Sequence, residues 1–198
     1  MKLIKHTNYI FEYQDLVGPE LCDEICNLVF SSYNKNIRFS DNKTRIRKNT
    51  SLNLTMLSQY HQNYQRADAI AHEIFSICHK NYVRDNKLLF YLIQVNFIKK
   101  LHTEYVFRSY DATDYYDWHL DITDEQNKQH ILSYILYLND DFEGGNTLFL
   151  KEKLKIKPKK GSMLCFPCDF SMLHKSTKIQ KGQKNIIWSC FSRTITSD

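Results

Sequence analysis

Apolar and polar positions alternate in two different rhythms along this chain, and the rhythm changes near residue 88. In the first part apolar residues recur at helical spacing. Leu21, Ile25, Leu28 and Val29 follow a turn at Val17-Gly18-Pro19, and Pro19 suits the first position of a helix, so the spacing predicts a helix over about 19–33. Ile70, Ile74 and Ile77 or Cys78 share one face of a second predicted helix from about Gln59 to Tyr82. Ahead of these, the apolar and aromatic residues between Leu3 and Val17 read as an opening strand. Residues 34–49 are polar and basic without a period and read as a loop, a candidate substrate lid, and Thr50 to Leu54 reads as a short strand.

From Leu88 onward the pattern predicts sheet. Apolar, partly β-branched runs lie at 88–101, 105–110, 131–138, 147–150, 162–166 and 185–191. Turn signals separate them, among them Asn139-Asp140-Asp141 and Glu143-Gly144-Gly145. Many short strands at this spacing argue for a sandwich or barrel, and a double-sheet jelly roll is one way to manage the edges. The expected class is therefore α+β, mainly β. It has a double-stranded β-helix core over 88–198 and a helical N-terminal half over 1–87 packed on it, in a single domain.

Composition narrows the picture modestly. A chain of 198 residues, 42% hydrophobic and 14% aromatic, can bury one sizeable core. No apolar run reaches the roughly 18 residues of a membrane span, and the start Met1-Lys2-Leu3-Ile4-Lys5 is too polar for a signal peptide. These features, with six cysteines best read as reduced thiols, point to a cytoplasmic protein. Cys165-x-x-Cys168 lies in a strand running into a turn, and no second pair at zinc spacing accompanies it. The net charge of +5 is mild, and the lysine run from Lys151 to Lys160 reads as a solvated edge hairpin.

The candidate chemistry lies between Tyr110 and Lys184. His119-x-Asp121 on an extended segment places an imidazole and a carboxylate on one side, because strand side chains alternate. Both can reach one divalent metal, and His174 is the best candidate for a third ligand. Two histidines and a carboxylate on one face of a metal is the facial triad of non-haem Fe(II) oxygenases. Trp118 alternates away from that side, whereas Trp188 shares the strand face of Lys184. His61, His72 and His79 have no carboxylate at ligand spacing and are read as structural.

Residues 105–191 resemble the catalytic core of the 2-oxoglutarate- and Fe(II)-dependent dioxygenases, in their prolyl 4-hydroxylase-like branch. Tyr110, Tyr116, His119 and Asp121 fall at the spacing of that branch's Tyr-x-x-Gly-x-x-Tyr-x-x-His-x-Asp motif, with Thr113 where the glycine is usual. Tyr137-Leu138-Asn139, Gly144-Gly145-Asn146-Thr147-Leu148-Phe149, the strand from Gly161 to Phe166, His174 and Lys184 follow in the family's order. The resemblance implies His119, Asp121 and His174 as metal ligands and catalytic centre. It implies Lys184, with the Tyr137 hydroxyl and Tyr110, as the holder of 2-oxoglutarate.

It further implies Fe(II), 2-oxoglutarate and O2 as cofactor and co-substrates, with ascorbate as reductant. The product side is succinate, CO2 and a hydroxylated C–H bond, plausibly of proline in a protein or peptide. The same core could instead serve a free amino acid or other small molecule, for which Arg108 could supply an extra cation, or could only bind. The tail beyond His174 carries lysines and no arginine before Arg193, which speaks against a nucleic-acid demethylase.

Overall fold

The computed structural model describes residues 1–32, 40–94, 104–123 and 128–194. In chain order the elements begin with β1 (Lys2–Lys5), β2 (Phe11–Gln14) and α1 (Pro19–Ser31), then β3 (Ser40–Lys43) and β4 (Arg47–Asn53). Three helices follow: α2 (Leu54–Leu57), α3 (Gln62–Asp85) and α4 (Lys87–Gln94). Next come β5 (Val106–Tyr110), β6 (Tyr115–His119), β7 (Lys128–Tyr137), β8 (Glu143–Gly144) and β9 (Thr147–Phe149). The chain closes with β10 (Leu154–Ile156), β11 (Met163–Pro167), β12 (His174–Ser176), β13 (Ile179–Lys181) and β14 (Lys184–Thr194).

Twelve strands form one antiparallel, curled sheet in the order β1-β2-β11-β7-β14-β5-β4-β6-β12-β9-β10, with β3 attached to β4. β13 and β8 pair separately. Period-two alternation divides the sheet's side chains between two cores. On β7, Leu132, Tyr134 and Leu136 join a cluster with Cys22, Ile25 and Val29 of α1 and with Ala67, Ala71, Phe75 and Cys78 of α3. Their neighbours Ile135 and Tyr137 join the second cluster, with Tyr110, Phe149, Leu164, Phe166 and Ile186. The helices therefore cover one face of the sheet. The other face encloses an aromatic interior that also buries Asp121, His174 and Lys184.

Two sequence expectations change here. The first half is not a helical layer alone, because β1, β2, β3 and β4 all lie in it and join the sheet. β4 sits between β5 and β6, so residues 40–43 and 47–49 are strands rather than loop; 33–39 lie outside the described residues. Pairing on both sides holds β4 without an apolar alternation of its own. The start of the run at 88–101 is the helix α4 rather than a strand, and 95–101 lie outside the described residues. A short apolar run fits either state, and here Leu89 is buried while Leu88, Phe90 and Tyr91 are exposed.

Smaller features concern the lysine run, the cysteines and the histidines. Lys155 is exposed on β10, an edge strand, and Lys159 and Lys160 pair with Asp15 and Asp23 at 2.6 Å each. The thiols of Cys165 and Cys168 separate: Cys165 lies 3.3 Å from Cys78, Cys168 lies 3.8 Å from Cys190, and all six cysteines are free. His72 and His79 meet the Tyr105 and Tyr134 hydroxyls at 3.0 and 2.7 Å. Among the described residues no helix is long and apolar enough to cross a membrane.

Thr113 stands at φ +82°, a left-handed conformation that a β-branched residue adopts only under strain. The turn is kept by its N–H, which donates to the Ile179 carbonyl at 2.9 Å, and by its hydroxyl, which accepts from Lys48 Nζ at 2.8 Å. Relief of that strain outweighs the extra chain entropy of glycine, so Thr113→Gly is expected to stabilise the fold by about 0.5–1 kcal/mol. Urea denaturation checks this; an unchanged or lower midpoint contradicts it.

Candidate active site

The site is assembled by strand register. β6 ends at His119, and antiparallel pairing sets His174 of β12 directly opposite it. Directly opposed residues share a face, so both imidazoles project into the curl, with ring centroids 4.2 Å apart. Asp121 lies two residues past His119 and returns to the same side. Its Oδ1 lies 3.6 Å from His119 Nε2 and its Oδ2 lies 3.6 Å from His174 Nε2. One nitrogen or oxygen from each of the three residues falls within 4.8 Å of the others.

The hydrogen bonds around these groups prepare them as ligands. His119 Nδ1 donates to the Asp117 carbonyl at 2.7 Å, and His174 Nδ1 donates to the Met172 carbonyl at 2.9 Å. A carbonyl only accepts, so the proton is on Nδ1 in each ring and the Nε2 lone pair faces Asp121. Tyr116 stacks on His119 at 3.4 Å, and Phe149 and Phe166 flank His174. Burial pulls His119 down to about 4, with His174 adding to the effect, so its ring is neutral at pH 7.

Asp121 is held from behind. Its Oδ2 accepts from Ser133 Oγ at 2.5 Å and from Trp188 Nε1 at 3.2 Å, and the indole N–H also reaches Ser133 Oγ at 3.1 Å. Burial opposes its ionisation. His174, His119, the Ser133 hydroxyl and Arg108 outweigh that and hold the carboxyl below its ordinary range. Oδ1, free of these donors, is left toward His119. Two imidazole nitrogens and one fixed carboxylate oxygen on one side are a donor set that fits Fe(II), with the opposite positions left to other ligands.

Lys184 closes the far end of the same pocket. It begins β14, opposite Tyr110 on β5, and is 2% exposed. Its ammonium donates to the Gly145 carbonyl at 2.7 Å and the Ser176 hydroxyl at 3.0 Å, and lies 5.6 Å from the Tyr110 ring and 5.5 Å from the Tyr137 ring. Burial pulls it down to about 7. Its position is locked on both sides. Asn139 Oδ1 accepts from Asn185 N–H, while Asn139 Nδ2 donates to the Gln183 carbonyl. Gly145 turns at φ +61°, and a Cβ there would stand 2.6 Å from Ile179 Cδ1 and 3.1 Å from Lys184 Cδ. The residues thus offer a buried cation with one donor to spare, which suits the far carboxylate of 2-oxoglutarate.

The six residues singled out in the sequence are distributed as follows. His119, Asp121, His174, Lys184 and Tyr110 line one pocket, together with Arg108, Tyr116, Thr147, Ser176 and Trp188. Tyr137 does not line it: its hydroxyl is engaged with Thr147 Oγ1 at 2.8 Å, and Thr147 forms the wall. The sequence pattern gives no sign of Ser133 or Ser176, and it shows Thr147 only as part of the Gly-Gly-x-Thr-x-Phe turn. Ser133 shares the inward face of β7 with Ile135 and Tyr137, but a serine on a strand announces nothing by itself.

Comparison with known proteins agrees with this geometry. Residues 105–192 match the model of the 2OG-Fe(II) oxygenase superfamily. A curated relative from Arabidopsis thaliana, "Probable prolyl 4-hydroxylase 9", is 33% identical over an alignment of 102 residues, covering 38% of this chain and 35% of the relative. The chain therefore spans only about a third of that relative's length.

Solved structures share the fold. The viral collagen prolyl hydroxylase of Paramecium bursaria Chlorella virus-1, in its 2OG complex, superposes with a TM-score of 0.65 at 20% identity, covering 94% of this chain and 97% of that one. A Pseudomonas putida prolyl-4-hydroxylase gives 0.67 at 15% identity, covering 96% and 95%. A Trichoplax adhaerens prolyl hydroxylase, in complex with a hypoxia inducible factor peptide fragment, gives 0.67 at 15% identity, covering 93% and 84%. Fold, ligand geometry and sequence match converge: residues 105–192 match the 2OG-Fe(II) oxygenase superfamily, and the chain is similar in sequence and fold to prolyl 4-hydroxylases.

Proposed function

We propose that the chain is an Fe(II)- and 2-oxoglutarate-dependent hydroxylase acting on a C–H bond in a protein or peptide, with proline as the target residue. One observation carries the reading. A His119–Asp121–His174 cluster stands at one end of a pocket whose other end is a buried ammonium with no carboxylate partner among the described residues. The collagen prolyl hydroxylase and the peptide-bound hydroxylase among the structural relatives support a peptide substrate. A chain that merely binds would not need both histidines locked in the ligating tautomer.

In this reading His119 Nε2, Asp121 Oδ1 and His174 Nε2 hold Fe(II), and Lys184 holds the far carboxylate of 2-oxoglutarate. When bound, Fe(II) with 2-oxoglutarate and O2 would supply the oxidising chemistry, one oxygen atom going to succinate as CO2 is lost and the other to the C–H bond. Ser133 and Trp188 keep Asp121 aimed, so that one carboxylate oxygen faces the metal. Ile135 and Ile186 give the pocket apolar walls that keep water from the reacting centre. Tyr110 lies across from Lys184 and lines the space between the two ends.

Three outcomes are expected. His174→Ala should lower both retained iron and succinate formation by more than about a hundredfold, since even removal of an outer partner typically costs 10–100-fold. Metal analysis and a succinate assay with proline peptides check it, and a variant that folds, keeps its iron and turns over refutes the assignment. Ser133→Ala should weaken metal affinity by about tenfold through loss of the Asp121 contact. Equal affinity for both proteins in a metal titration contradicts this.

The third outcome concerns pH. The Lys184 ammonium titrates near 7 without ligand, and a bound carboxylate favours its charged form and raises that value. The Kd for 2-oxoglutarate should therefore be level below pH 7. Above it, Kd should rise by up to about tenfold per pH unit until the raised value is passed. Titration of Mn(II)-loaded protein followed by tryptophan fluorescence measures this. A Kd that stays flat to pH 9 contradicts it.

A further inference from the structure

Arg108 has no role in the scheme above, yet it is one of the most confined charges in the molecule. It lies on β5 on the same face as Tyr110, is 8% exposed, and lines the pocket that holds His119, Asp121 and Lys184. Its guanidinium carbon sits 4.2 Å from the Trp188 ring and 5.8 Å from the Tyr116 ring, and the Tyr110 hydroxyl is within its reach. Asp121 feels its charge, yet no carboxylate stands within salt-bridge distance of it among the described residues, and its Nε is buried without a hydrogen-bond partner. The other cations near the pocket differ. Lys48 reaches Asp114 at 2.8 Å, and Lys175 lies 3.9 Å from Asp117.

A buried guanidinium without a counter-ion is costly, and chains keep one where a ligand supplies the missing charge. Charge balance shows which ligand that is. A metal dication, the Asp121 carboxylate, a 2-oxoglutarate dianion and the Lys184 ammonium cancel one another. Arg108 is left over. The support is rigid: Trp188 is fixed by its hydrogen bonds to Asp121 and Ser133, and Arg108 stacks on that fixed ring. A planar fork held this way matches a carboxylate in two-point geometry.

We infer that Arg108 is a specificity-determining residue that binds a carboxylate of the molecule to be hydroxylated, next to the metal. This deepens the hydroxylase reading and rests on it. The carboxylate has two possible sources, an acidic side chain beside the target residue of a peptide or the α-carboxylate of a free amino acid.

The test uses the full chain loaded with Mn(II) and N-oxalylglycine, an unreactive analogue of 2-oxoglutarate. Binding is read from tryptophan fluorescence, since Trp188 lies under Arg108. Two probe pairs are titrated: blocked proline peptides with glutamate or glutamine beside the proline, and L-proline against L-prolinamide. The wild type should prefer the carboxylate member of one pair by at least about tenfold, as expected for a charge-assisted pair, and the preferred pair names the source. In Arg108→Gln that preference should fall to within about twofold, and in Arg108→Lys to an intermediate value. The lysine variant also supplies the answer if the glutamine variant does not fold.

No carboxylate preference in either wild-type pair overturns the inference. So does a preference that survives in Arg108→Gln, or an equal loss of the acid and amide members. Succinate release by the Fe(II) enzyme is measured alongside. Turnover without a carboxylate preference sinks only the role of Arg108, whereas no turnover and no metal bound sinks the hydroxylase reading itself.

Discussion

The site depends on one structural constraint, the antiparallel register that sets His174 against His119 across β12 and β6. A slip of one residue would turn either imidazole to the opposite face, because side chains alternate with period two. Several features pin the register. β12 is paired on its other side with β9, where His174 faces Phe149, and the Asn146 and Thr177 backbones and the Thr177 side chain are hydrogen-bonded across the same turn. The aromatic packing of Phe149 and Phe166 around His174 then fixes the ring that the register has aimed.

The second constraint is the polarity of the interior. The pocket buries the Asp121 carboxylate, the Lys184 ammonium and the Arg108 guanidinium among aromatic and branched side chains. Each is expensive to bury alone. Asp121 is stabilised by His174, His119, Ser133, Trp188 and Arg108, whereas among the described residues Lys184 has only neutral acceptors, the Gly145 carbonyl and the Ser176 hydroxyl. The interior is thus complete as a scaffold and incomplete as a charge system, which is what a site waiting for a metal and anionic ligands should look like.

Much of this was legible in the sequence because the relevant information was local or ordered. His119-x-Asp121 needs only period-two alternation, and the helices of α1 and α3 announce themselves by their apolar stripes. The order of Tyr110, His119, Asp121, Gly144-Gly145, His174 and Lys184 carried the rest. What stayed hidden was what only register creates. Ser133 and Trp188 meet at Asp121 because β7 and β14 are neighbours, and neither residue type signals such a contact. β3 and the first three residues of β4 fall in the stretch that reads as loop, since β4 is held by partners on both sides rather than by its own pattern. The Tyr137 hydroxyl is taken by Thr147, a pairing that no spacing reveals.

The most direct measurement of the account is the visible charge-transfer absorption that Fe(II) gives when a 2-keto acid chelates it, recorded anaerobically. Addition of 2-oxoglutarate to the Fe(II)-loaded protein should produce the band, and Asp121→Ala should lack it while remaining folded. Iron bound without any band on addition of 2-oxoglutarate, or a band that persists in Asp121→Ala, would contradict the site as built from His119, Asp121 and His174.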